Sequence, residues 1–225
     1  MNIFNTKEYN SIGDKMIKKY SNILRIILPN KKTNIFIISI LILGIITGSV
    51  FATIIGLNDK TLVIDKINLF INNINNNSLD TINVLKNSLS TNLLYVIIIF
   101  ILGMTLIGIV FNIFLLFIKS FIIGFTLASF IITYSYKGLI LSTLYIILGQ
   151  LINIIVIIII TIYSIIFSMK LIKLIFKENT NLHINKYLKN YFLILIISII
   201  MSIISSISET FLLPSIIKLI INIFI

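Results

Sequence analysis

The chain has 225 residues, 58% of them hydrophobic and 11% charged, with a mean hydropathy of +1.13; soluble domains carry about a quarter charged residues, so an ordinary soluble domain is excluded. Eighteen Lys and Arg against seven Asp and Glu give a net charge of +11, and because the bases are interleaved with membrane-length apolar runs they read as flanks of membrane spans, with no nucleic-acid partner. With no cysteine and one histidine, disulfides, thiolate chemistry and a protein-ligated zinc site are not expected.

Residues 1–32 form a basic tail without the apolar core and small-residue cleavage site of a signal peptide. Within it Ile17, Tyr20, Leu24, Ile27 and Leu28 recur at helical spacing opposite Lys18, Lys19 and Arg25, up to Pro29, which predicts a short basic helix on the cytoplasmic membrane surface. The first span falls within residues 33–55, an uncharged run whose core is 35–55 and which is long enough for a hydrocarbon layer of about 30 Å. Gly44, Gly48 and Ala52 repeat every fourth residue, so one face lacks bulk and a second helix can pack closely against it.

Residues 56–91 are the longest hydrophilic connection, with no net charge. They read as an extracytoplasmic connector of two amphipathic helices broken at Asn75-Asn76-Asn77-Ser78. Residues 92–169 form the central membrane core. In it a second span is expected over 93–118, with Gly103, Gly108 and Asn112, ending at Lys119, whose ammonium would snorkel to the cytoplasmic interface. A short third stretch over 121–134 carries Gly124. The uncharged run 138–169 is too long for one straight span and too short for two, and its bend is expected at Gly149-Gln150, followed by Asn153. Residues 170–189 are a second basic segment and are placed in the cytoplasm; 190–225 hold the last span, over 191–213, then Pro214 and an apolar tail. The expected fold is an all-α, polytopic integral membrane helical bundle of about five spans with one segment interrupted or bent. Thirteen Lys and Arg on one side against five on the other predict a cytoplasmic N-terminus.

Glu209 is the one acid inside an expected span, and an unpaired acid in hydrocarbon costs several kcal/mol. Ser198, Ser202, Ser205 and Glu209 step by four, three and four, placing them on one helix face. This face reads either as a polar contact surface or as interhelical hydrogen bonding. A pairing of Lys119 with Glu209 conflicts with the topology above, which puts them on opposite sides. His183 stands in the basic loop without a partner for acid-base work. No Ser/His/Asp set, phosphate-cradling glycine loop or acid cluster is present in sequence, so neither enzyme chemistry nor a cofactor or metal is expected.

The run Leu115-Leu116-Phe117-Ile118-Lys119-Ser120-Phe121-Ile122-Ile123-Gly124-Phe125-Thr126 and the ending Ser205-Ser206-Ile207-Ser208-Glu209-Thr210-Phe211-Leu212-Leu213-Pro214 resemble the stage II sporulation protein M family, as do the basic tail and Phe167-Ser168-Met169-Lys170. The resemblance covers roughly residues 35–214. It implies a non-enzymatic membrane scaffold of sporulation. Such a scaffold gathers the peptidoglycan-degrading stage II sporulation proteins D and P at the division septum, so that septal wall is thinned and the forespore engulfed. The implied location is the cell membrane, at the sporulation septum and the engulfing membrane. The competing expectation, from the interrupted helix with Lys119 and Glu209, is a small-solute transporter or permease component.

Overall fold

The computed structural model describes residues 31–176 and 184–224; the basic helix expected over residues 17–28, Glu178 and His183 lie outside the described residues. The chain divides into two compact units, 1–36 and 37–225. The described part of the first, residues 31–36, is helical, and the second holds the bundle.

All regular structure among the described residues is helical. The helices are α1 (Lys31–Ile54), α2 (Leu57–Asn75), α3 (Thr81–Gly103), α4 (Gly108–Leu144), α5 (Leu151–Ile175), α6 (Ile184–Ile207) and α7 (Leu213–Phe224), with π-helical turns at Tyr145–Gln150 and Ser208–Leu212. Four stretches are long and apolar enough to cross a membrane: Lys32–Ile54, Thr81–Gly103, Gly108–Ile175 and Tyr187–Ile221. Leu43, Ile46, Val110 and Ile196 are each more than half exposed, as side chains facing lipid would be.

The third stretch is two passes. Ser135 has φ 51° and ψ −121°, a backbone state that glycine favours and that reverses the chain. A methyl group on Gly138 would run into the carbonyl of Phe130. In a straight helix those residues stand about 12 Å apart, so the chain has doubled back. Counting the reversal, the bundle has five passes, as expected from sequence.

Their boundaries differ from the sequence reading in three places. The expected second span over 93–118 is cut at Gly103. Residues 104–107 form a tight turn in which Thr105 donates its N–H and its hydroxyl to the Leu102 carbonyl, at 2.9 and 2.7 Å, and Gly108 fits because a side chain there would strike that carbonyl. The second amphipathic helix of the expected connector is the opening of α3, which starts at Thr81 with Asp80 accepting the Asn83 N–H at 3.1 Å. And the short stretch over 121–134 is the second half of an unbroken helical pass over residues 108–134, about 40 Å long. Lys119 therefore lies in the middle of a pass, 9% exposed; it does not flank a span.

Two apolar cores result. The bundle core joins Val96, Ile99 and Phe100 of α3, Leu116 of α4, Ile157 and Ile160 of α5 and Tyr191 of α6. Tyr191 stacks between Phe100 and Phe167, ring centroids 4.5 and 5.0 Å away. The second core caps one end of the bundle: Ile71 and Ile74 of α2, Phe130 and Leu141 at the chain reversal, and Leu213, Ile217 and Ile221 of α7. Leu213, Ile217 and Ile221 are spaced by four, so α7 presents one apolar stripe to the cap. The expected apolar tail is thus an amphipathic helix packed on α2, with the Lys218 ammonium hydrogen-bonded to Asn77 Oδ1. The Tyr134 hydroxyl, donating to Asn68 Oδ1 at 2.7 Å, ties α2 to α4.

Candidate functional site

The two π turns sit where bundle meets cap, and they pack against each other. The second has a local cause in proline. Proline lacks an N–H and its ring presses on the carbonyl four residues earlier; for Pro214 that is Thr210, and the helix widens over Ser208–Leu212. In the partner turn Gly149 brings no side chain to the contact, where a methyl would meet Leu213 and Glu209. Widened turns loosen backbone carbonyls, and the Ser208 hydroxyl donates to that of Leu148 at 2.6 Å.

This packing brings Gln150 to Glu209. Gln150 Nε2 donates to Glu209 Oε1 at 2.8 Å, and the Ser88 hydroxyl donates to Oε2 at 2.6 Å. The network continues inward: Asn92 Nδ2 reaches the Ser88 and Ser206 hydroxyls at 3.3 and 3.0 Å, and Asn153 Nδ2 donates to Asn92 Oδ1 at 2.6 Å. Four helical segments thus converge on one carboxylate. In a low-dielectric interior such bonds are stronger than in water, and an unmade one is costly.

Lys119 faces the same space. With Asn87, Ser88, Thr91, Asn92, Gln150 and Glu209 it lines a pocket of about 370 Å³, its Nζ 5.1 Å from the centre of the Tyr95 ring, and it interacts electrostatically with Glu209. The topology expected from sequence puts these two residues on opposite sides of the membrane. The structure overturns that, because 27 residues run continuously through Lys119 and carry it to the depth of Glu209.

Of the other residues singled out from sequence, Gly44, Gly48 and Gly124 form one contact. Side chains at Gly44 and Gly48 would strike Ser120 and the Phe121 carbonyl, and one at Gly124 the Ile45 carbonyl. Hence α1 and α4 run in the same direction in close contact, and the Ser49 hydroxyl donates to the Gly124 carbonyl at 3.0 Å. Ala52 is 1% exposed on the same stripe. Gly103 packs elsewhere, beneath Ser164 and Tyr191. Ser198, Ser202 and Ser205 are buried, but the Ser202 and Ser205 hydroxyls do not make the interhelical hydrogen bonds read from sequence, and the α6 hydroxyl that joins the network is that of Ser206. Pro214 lines a smaller cavity beside Glu209 and Tyr145.

Sequence reasoning misses Ser88, Asn92, Ser206 and Tyr145. The available signal is the four-residue spacing of Ser88 and Asn92 just ahead of an apolar run. A second polar group missed from sequence closes the other end: Asn112 Nδ2 bonds to Ser164 Oγ, Ser164 and Ser168 donate to the carbonyls of Ile99 and Gly103 at 3.1 and 2.7 Å, and Tyr191 donates to that of Phe100 at 3.0 Å.

Helices with exposed apolar faces and a polar cluster held between two π turns define a polytopic helical membrane protein. The chain matches the family model of stage II sporulation protein M over residues 34–214 and belongs to that family. It is a membrane protein related to sporulation. No curated protein and no solved structure gives a significant match.

Proposed function

We propose that the chain is a non-enzymatic scaffold that gathers membrane-anchored peptidoglycan-degrading proteins, stage II sporulation proteins D and P, at the division septum. Wall thinning and engulfment of the forespore result from that gathering. The observation that carries the reading is the cap. Amphipathic α2 turns Ile71 and Ile74 into the second core while Leu57, Leu62 and Leu69 on its other side are 82%, 62% and 55% exposed, which leaves an apolar face for neighbours in the same membrane. Confinement to one bilayer raises effective concentration, so modest contacts suffice to hold such partners. Glu209 is the one acid lining the polar pocket, and its hydroxyl and amide partners are suited to holding the carboxylate in place.

The cap faces the wall in this reading. With Lys119 removed from the thirteen cytoplasmic bases, twelve remain against five, and the N-terminus stays in the cytoplasm. The test is septal wall thickness in sporulating cells. Cells lacking the chain keep a thick septum, and cells carrying Leu62→Glu with Leu69→Glu resemble them; thinning that proceeds normally without the chain overturns the scaffold.

One observation favours the transporter reading instead: Lys119 and Glu209 share a pocket between interrupted helices, as residues of solute pathways do. Solute uptake by reconstituted protein that Glu209→Gln abolishes would establish it.

A further inference from the structure

The surface between α3 and α4 carries polar side chains at a depth where lipid is the expected neighbour. Asn87 and Thr91 of α3 are exposed, and both line the pocket that holds Lys119 and Glu209. Thr91 stands about 15 Å along α3 from Thr81, and Lys119 about 17 Å along α4 from Gly108. The pocket therefore opens sideways, near the middle of two passes. On α4 the hydroxyls of Thr126, Thr133 and Thr143 are each returned to the carbonyl four residues back, at 2.8–2.9 Å, the usual resting place for a threonine in a helix. Among the described residues the side chains of Asn87 and Thr91 make no hydrogen bond. Open donors and acceptors are costly in hydrocarbon, and in membrane helices such groups bond across to another helix.

Nearer the cap the same surface turns apolar. A groove of about 450 Å³ runs between α2 and α4, walled by Leu62 and Ile67 on one side and Phe125 and Phe130 on the other, and Tyr145 lines both groove and pocket. Along α4 the lining passes from Lys119 and Ile122 in the pocket to Phe125 and then Phe130 in the groove, about 17 Å beyond Lys119. A surface that is polar at mid-depth and apolar toward the cap is the reverse of what a phospholipid needs, since its headgroup lies outermost. It matches a membrane-spanning helix that carries one polar side chain near its midpoint.

We propose that this surface docks the transmembrane helix of a membrane-anchored partner. An amide or hydroxyl side chain from the middle of that helix bonds to Asn87 and Thr91, and its cap-side half lies along the groove between α2 and α4. Charge selects a neutral side chain. Lys119 and Glu209 already set one positive and one negative charge in the pocket, and the Glu209 oxygens accept from Ser88 and Gln150, so a further charge would unbalance the pair. The inference rests on the scaffold reading, which supplies partners anchored in the same membrane, and adds to it a contact within the bilayer.

The experiment is photocrosslinking in sporulating cells, with p-benzoylphenylalanine placed in the full chain at position 87, 91 or 122, or at the exposed Ile196 of α6 as a control. Crosslinked peptides are identified by mass spectrometry. Positions 87, 91 and 122 crosslink to a membrane-spanning segment of another protein, within one turn of an Asn, Gln, Ser or Thr near its midpoint, and position 196 does not. With the probe at position 122, Asn87→Leu combined with Thr91→Val lowers the yield about tenfold, the worth of one or two interhelical hydrogen bonds in a bilayer. Both substituted positions are exposed, so the fold is kept, which thermal unfolding in detergent checks. Adducts of lipid alone, of a second copy of this chain or of a water-soluble domain overturn the proposal, as does a yield that the double substitution leaves unchanged. Failure here is distinct from failure of the scaffold reading. If stage II sporulation proteins D and P co-purify with the chain while positions 87, 91 and 122 meet lipid alone, the docking surface is wrong and the scaffold stands. If neither co-purifies while those positions meet the polar midpoint of another protein's span, the identity of the partners is wrong and the docking surface stands.

Discussion

Gln150 and Glu209, 59 positions apart, meet across 2.8 Å because each is carried on a π turn and the two turns pack face to face. The bond joins the helix entering the bundle after the chain reversal to the helix leaving it for the cap.

That bond and its Ser88 counterpart predict a split between two substitutions. Glu209→Gln removes the countercharge of Lys119 but keeps a group of the same shape that accepts from Gln150 and donates to Ser88, so thermal unfolding in detergent shifts by less than in Glu209→Ala. Glu209→Ala strands Ser88 and Gln150 and leaves Lys119 without its countercharge, a loss of about 2–4 kcal/mol. Adding Lys119→Met to Glu209→Ala recovers part of it, which a double-mutant cycle measures.

The contact between α1 and α4 predicts that Gly124→Val destabilises by about 3 kcal/mol or more, because the Ile45 carbonyl is rigid backbone. Gly56→Ala serves as the control. No atom stands where its methyl would go and its φ of −57° suits alanine, so unfolding is unchanged within about 0.5 kcal/mol.

At the chain reversal, Ser135→Gly relieves a left-handed backbone and raises stability by about 1 kcal/mol. Ser135→Val lowers it by more, since a β-branched side chain suits that conformation least. Chemical denaturation of both variants checks the sign.

Engineered cysteines report the revised boundaries, and the chain has none of its own. Positions 75 and 135 label together from one face, and 105 and 180 from the other. A span over 93–118 would instead leave position 105 shielded in the membrane.

Hydropathy shows which residues avoid water but carries little information about where an apolar chain turns. The all-helical membrane class and the five passes are therefore readable, and so is the small-residue stripe of Gly44, Gly48 and Ala52, whose spacing is local, but not that Gly124 packs against it. The turn at 104–107 is not, because Met104, Leu106 and Ile107 look like their helical neighbours and the turn is fixed by close packing at Gly108. Lys119 is misplaced for the same reason. A lysine after an apolar run resembles a span end, and its burial is visible only once Gly108 is known to open the helix. Glu209 and Gln150 stand out singly as polar groups in apolar runs, and Gly149-Gln150 and Pro214 mark where the two helices are interrupted, whereas the meeting of the two residues depends on how the two π turns pack.

The most direct test of the central claim is affinity capture of the full chain from detergent-solubilised membranes of sporulating cells, read by quantitative mass spectrometry. The account predicts that stage II sporulation proteins D and P co-purify with it and are lost when Leu62 and Leu69 on the outer face of α2 become glutamate. Recovery of neither hydrolase with the unaltered chain would contradict it.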